Sequence, residues 1–350
     1  MKRIVLVFLL IISICVLVFV YNDDFLYSKQ IMKIISVKNI DEDISSNSLG
    51  LKEKHYTKKL VGVITNGKNR GKMDEVIYEE TYSSVVTDRY RVGDKVIISK
   101  GDISLKRDFY LVLMLVIFLN LIYIVGNYKG LLSIVSVVLN MIVIYIGLFL
   151  YFKGINLLFL TLLEIVIFSI LSLFLAGGVN KKTIAAIIAV VISTIIMFIM
   201  LMVVVKVSGY KGINFNELSF LTVPVEDVLL CELLIGTVGA VMDVAITISA
   251  SISELIEKNN KISIKKLNKS SKEIGKDIMS TMSNVLFFTY LCGGLPVFVL
   301  AYRNGFSMYN YISGNFTLEL SRFLIGSIGI VMTIPISSYV SIRLMRRGEV

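Results

Sequence analysis

The chain has 350 residues, 55% of them hydrophobic, and a mean hydropathy of +0.79. Soluble domains do not have this composition, whereas polytopic membrane proteins do. The formal net charge is +10, but the excess Lys and Arg sit in short connections between apolar runs, where they orient helices, so nucleic acid is not expected as a partner. The one histidine, His55, lies in a polar segment, and Cys15, Cys231 and Cys292 lie in apolar ones. That leaves no Ser/His/Asp set, no metal cluster and no disulfide framework, and there is no phosphate-binding loop. No cofactor or metal is expected.

Residues 1–21 read as a signal-anchor helix: Lys2-Arg3, then an unbroken apolar run to Tyr21 with no small-x-small cleavage site after it. Residues 22–108 form the long polar region and are expected as an external soluble domain. Its first half, to about Thr57, has weak, helix-like patterning. The β-type signal lies in 58–103: Leu60–Thr65, Glu75–Glu80, a Gly- and Lys-rich turn at Asn66–Lys72, and a Gly93-Asp94 turn feeding a strand to Ser99. Short strands so closely spaced suggest a small OB-like barrel, read as a packing or interaction module that could engage a protein partner.

From Phe109 the chain is nearly all apolar, and residues 109–350 are expected as a seven-helix membrane domain. Its spans fall near 109–126, 131–151, 156–176, 183–205, 225–255, 281–302 and 318–343, eight with the anchor. The Lys-rich stretch 256–280 is read as a cytoplasmic loop touching anionic lipid. It carries Lys258, Lys261, Lys265, Lys266, Lys269, Lys272 and Lys276, and the tail adds Arg343, Arg346 and Arg347. The alternate loops hold Lys153, Lys206, Lys211 and Arg303. This asymmetry puts both termini in the cytoplasm and residues 22–108 outside. The fold class is therefore an α-helical polytopic membrane protein of about eight transmembrane helices with a small external, mainly-β domain after the first.

Within the span at 225–255, Glu232, Gly236, Gly239, Asp243, Thr247, Ser251 and Glu254 recur at helical spacing on one side, opposite Leu, Ile and Val. A charge in hydrocarbon costs at least about 2.5–3.5 kcal/mol on insertion scales, so this side is expected to face other helices or a wet cavity. The glycines would admit a neighbouring backbone. Ninety residues later Gly326 and Gly329 repeat the spacing of Gly236 and Gly239, and Arg322 stands where Glu232 stood. This is either an internal repeat or a chance likeness of two apolar helices. Glu232 and Arg322 are expected to pair. Asp243, roughly 16 Å deeper on the same side, is expected in a polar pocket with Thr281 and Asn284. With Glu164, mid-span in the fourth helix, these form the candidate ion- or substrate-binding set. Gly293, Gly294 and Pro296 are expected to kink or break the seventh span.

The runs Gly236–Ala245, Gly275–Asn284, Gly293-Gly-Leu-Pro296 and Gly326-Ser-Ile-Gly329 resemble the signature segments of the YibE/F family of bacterial multi-pass membrane proteins. The outer domain with Tyr90-x-Val-Gly-Asp94 fits its longer members. Lys276 and Ser280 depart from the expected Arg and Gly. The resemblance implies this architecture and a bacterial plasma-membrane location, and it supplies no mechanism.

Three function classes follow. Intramembrane carboxylates favour a transporter or permease of a small solute or ion. A non-transporting scaffold or sensor would use the external domain to bind a partner. An intramembrane hydrolase would need a second acid facing Asp243, and no paired-acid motif surrounds Glu164, so an enzyme is not expected. A cavity reaching Asp243 and Glu164 would favour transport; a dry, packed bundle would favour the scaffold.

Overall fold

The computed structural model describes residues 2–46, 52–82, 87–99, 102–209, 223–314 and 316–346. Lys211 and Arg347, used above to orient the chain, lie outside these. The chain divides into two compact units, Met1–Gly130 and Leu131–Val350.

In the first unit α1 (Lys2–Tyr21) is followed by a single 3-10 turn at Asp23–Leu26 and then by five strands: β1 (Gln30–Ser46), β2 (Lys52–Ile64), β3 (Met73–Thr81), β4 (Lys95–Ser99) and β5 (Asp102–Leu105). They form one antiparallel sheet in the order β3-β2-β1-β4-β5. In an OB barrel, too, the first strand pairs with both the second and the fourth. Among the described residues the closing pair between β3 and β5 of such a barrel is absent, and the strands form an open sheet. The weak helical patterning expected before Thr57 is corrected: that stretch is β1 and the start of β2. Its alternation is blurred because most of β1 beyond Val37 is exposed on both faces, so no periodic apolar signal is required there. The core gathers Met32, Ile34, Leu60, Tyr78, Tyr90 and Val96, and the Tyr78 and Tyr90 rings meet edge to face at 4.8 Å.

An ionic knot ties the sheet to its helices. Lys106 is buried and donates to Asp23 and Asp24, and Lys95 reaches Asp24 at 2.7 Å. Asp108, the first residue of α2 (Asp108–Phe152), accepts from the Tyr27 hydroxyl at 2.8 Å. Asn66 completes the junction, accepting from the backbone N–H of Ile31 and donating to the carbonyls of Asp24, Tyr27 and Lys29. Higher up, Asn120 of α2 donates to Ser13 of α1 at 2.8 Å.

α2 is too long for one crossing, and it breaks at Asn127, whose φ of 49° and ψ of −132° are not helical. A Cβ on Gly130 would collide with the Ile122 backbone, so the chain turns sharply there. This matches the two spans expected between 109 and 151.

The second unit holds the rest of α2, then α3 (Leu157–Gly177), α4 (Lys181–Ser208), α5 (Val225–Lys258), α6 (Ile264–Arg303), α7 (Met308–Gly314) and α8 (Thr317–Arg346). Helix starts carry local caps: Asn156 accepts from Phe159, Asn180 from Thr183 and Ser263 from Lys266. Gly178 and Gly209, at φ of 73° and 55°, end α3 and α4. Among the described residues six helices are long and apolar enough to cross a membrane, α2 among them.

α8 is the hub. It packs on α4, α5 and α6 and buries Gly326, Gly329, Thr333, Ser337, Ser338 and Ser341. Its buried hydroxyls make the interhelical bonds: Ser341 with Ser249 of α5 at 2.8 Å, and Ser338 with Ser271 of α6 at 2.6 Å. Two expectations are corrected here. The Lys-rich "loop" 256–280 is mostly the first half of α6. Leu267, Ser271 and Gly275 are buried while the lysines project outward, and Gly275 seats Ile334 of α8. Of the kink or break expected at Gly293-Gly294-Leu-Pro296, the break is absent: α6 runs as one helix through Pro296.

Candidate functional site

α5 and α8 lie side by side in parallel. Thr237 packs against Gly326, Val241 against Gly329, and Ser249 against Ser341. That register brings Glu232 to Arg322 at 2.7 Å. Arg322 also holds Glu319, one turn earlier on its own helix. Its side chain is 11% exposed, that of Glu319 12% and that of Glu232 42%. The guanidinium is thus buried between two carboxylates, and Glu232 reaches outward from it. The Nε of Arg322 has no hydrogen-bond partner among the described residues. Glu319 was not singled out in the sequence, although its i,i+3 spacing from Arg322 was a readable signal.

Glu232 faces a cavity of about 420 Å³ bounded by the end of α2 and the beginnings of α3 and α5. Glu164, two turns into α3, lines the same cavity, as do Thr161, Cys231 and Tyr151. The rest of the wall is hydrocarbon. Glu164 and Glu232 each stand seven residues after their helix starts, roughly 10 Å along. Gly147 of α2 gives Glu164 its seat: a Cβ there would overlap Glu164 Oε1. Nothing in the sequence marked Gly147. Glu164 makes no ion pair or hydrogen bond among the described residues.

Among the described residues Asp243 is not enclosed with Thr281 and Asn284 as expected. The stripe bearing Glu232, Gly236, Gly239, Asp243 and Thr247 is the exposed side of α5, and the Leu, Ile and Val side is the buried one. Asp243 does not line the cavity. Its backbone carbonyl accepts from Thr247 at 2.7 Å, and its carboxylate has no partner among the described residues. Asn284 and Thr281 are likewise exposed, and Thr281 bonds back to the Ile278 carbonyl of its own helix. The physical reason is the hub. α8 offers the hydroxyls and glycines that a packed interface needs, so α5 can bury its bulky apolar side there.

The expected packing glycines divide accordingly. A Cβ on Gly326 would lie 2.9 Å from Leu286 and 3.0 Å from Thr237, and one on Gly329 2.8 Å from Met197. A Cβ on Gly236 would lie 2.8 Å from the Tyr290 hydroxyl, while one on Gly239 would meet nothing within 4 Å. A Cβ on Gly293 would lie 3.8 Å from Glu319, and Gly294 is buried within α6. Among the described residues no group of three or more His, Cys, Asp or Glu could hold a metal ion.

These features define a multi-pass helical membrane protein with an N-terminal antiparallel β-domain and a charged cluster among its helices. Residues 114–347 match the YibE/F-like protein family and residues 25–107 match the YibE/F family N-terminal domain. The chain belongs to the YibE/F family. No curated protein and no solved structure matches it.

Proposed function

We propose that the protein is a transporter or permease of a small solute or ion, working through carboxylates inside the membrane. The single observation that supports this reading is that Glu164 and Glu232 open onto one cavity. Carboxylates held at membrane depth are costly, and they characteristically line substrate or proton pathways. A purely structural ion pair would account for Glu232, Glu319 and Arg322, but not for Glu164. We place the protein in the bacterial plasma membrane with both termini cytoplasmic and the β-domain outside. Exposed lysines and arginines collect at the end of the second unit formed by the starts of α4 and α6 and the ends of α5 and α8. In that orientation the cavity lies toward the outer side.

The test is flux in proteoliposomes. Glu164→Gln keeps the side chain's shape and removes its charge. It is expected to insert and fold as wild type and to lose flux. A variant that folds and retains full flux would remove the reading's support.

A further inference from the structure

We propose that the cavity between α2, α3 and α5 binds a monovalent organic cation with an apolar body, of the substituted-ammonium kind. The proposal deepens the transport reading and rests on it for taking this cavity as the working site.

The wall chemistry selects the class. Two carboxylates, Glu164 and Glu232, line the cavity, and Arg322, which holds Glu232 and Glu319, is not part of that lining. The charged side chains that line the cavity are both acidic, so an anion is disfavoured. Arg322 is shared between Glu232 and Glu319, which leaves Glu164 as the carboxylate without a counter-charge among the described residues. A bare metal ion needs several oxygen ligands converging at short range, six to eight for calcium. Here two carboxylates, Thr161 and Tyr151 are set in a wall that is otherwise hydrocarbon. A neutral apolar solute would fit that wall but leave Glu164 facing hydrocarbon uncompensated. A cation with an apolar body answers both demands: its charge meets Glu164, its substituents meet the aliphatic side chains, and the Tyr151 ring offers a cation-attracting face. The cavity's volume of about 420 Å³ is that of a small-molecule site.

The geometry around Gly147 makes the proposal specific. Because Gly147 has no side chain, Glu164 lies against the α2 backbone at a fixed point of the wall. A methyl group there would push the carboxylate from its seat without changing the charge of the cavity.

Benzyltrimethylammonium is the probe, titrated calorimetrically into the purified full-length protein in detergent. Wild type is expected to bind it saturably, with sodium chloride at equal concentration giving no saturable heat. Glu164→Gln is expected to weaken binding at least tenfold and Gly147→Ala by a smaller factor, while Asp243→Asn leaves it unchanged. Saturable binding with these losses supports the proposal even if proteoliposomes show no flux of the probe, and in that case the transport reading alone fails. Absence of saturable binding by wild type overturns the proposal. So does undiminished binding by Gly147→Ala together with Glu164→Gln, each eluting as a single folded species. Glu164-dependent flux of an inorganic ion without binding of the probe overturns it too, and leaves the transport reading standing.

Discussion

α5 and α8 carry the same pair of glycines at the same spacing, run in parallel and touch along their lengths, yet they point those glycines in opposite senses. α8 buries Gly326 and Gly329 against Leu286, Thr237 and Met197, whereas α5 leaves Gly236 and Gly239 on its exposed side. Spacing therefore identifies a smooth face of a helix without saying where that face goes. Direction is set by what else the helix has to bury. α8 has serines and a threonine on its glycine side that find partners or backbone carbonyls inside. α5 has on its other side Leu229, Leu233, Leu234, Val244, Ile248 and Ile252, and it buries those.

The largest expected effect is at the charged link between the two helices. Arg322→Met would leave Glu232 and Glu319 without their cation, and removing one partner of a buried ion pair costs about 3–5 kcal/mol. The melting temperature in detergent should fall steeply, and the triple variant that adds Glu232→Gln and Glu319→Gln should recover most of the loss. A triple variant no better than the single would mean the three side chains do not act together.

Next come the glycines themselves. Gly326→Leu must overpack the contact with Leu286 and Thr237 and should cost about 1–3 kcal/mol. Gly239→Leu meets open space and should stay within about 0.5 kcal/mol. Equal losses in thermal melts of the two variants would break the comparison.

The β-domain offers a contrast, because its ionic knot is outside the membrane-spanning segments and should respond to pH. Burial pushes the Asp24 carboxyl up, but hydrogen bonds from Lys106 and Lys95 outweigh it and hold the group below its ordinary value. Burial pushes the Lys106 ammonium down, and Asp23 and Asp24 more than reverse that. The lowered Asp24 stabilises above the ordinary carboxylate pKa of about 4 and loses that contribution as pH falls through its folded value. The raised Lys106 stabilises below about pH 10.4 and loses its contribution as pH rises through its own. Circular-dichroism melts of the strand signal should therefore be flat between about pH 5 and 10 and fall outside that window. In Lys106→Met Asp24 keeps Lys95 as its partner, so the acid limb should shrink.

The smallest effect is expected on the exposed stripe. Asp243→Asn should shift the melting temperature little, because the carboxylate has no partner among the described residues to lose.

Much of this was legible in the sequence. Run length and charge asymmetry gave the membrane helices, including the two that α2 joins through Asn127. The alternation at Leu60–Thr65 and Glu75–Glu80 marked β2 and the edge strand β3. Glu232 and Arg322 could be paired because two similar helices placed them at matching depth. Three things were not legible. β1 has little inward-outward contrast beyond Val37, so it carries no period. The lysines of residues 258–276 mask the first half of a helix, where Leu267, Ser271 and Gly275 are the buried residues. The seat of Glu164 depends on Gly147, a residue whose importance lies in an absent side chain on another helix. Asp243 misled because its periodic face is real, and periodicity does not tell which of two faces a neighbour will take.

The central claim, that α5 turns its glycine and aspartate stripe outward while α8 turns its own inward, is open to one direct measurement. Single cysteines at positions 239 and 329, in a chain whose Cys15, Cys231 and Cys292 are replaced by Ala, can be labelled with a small maleimide in detergent and followed over time. The account predicts fast modification at 239, and at 329 modification only after denaturation. Protection at 239 with ready labelling at 329 would contradict it.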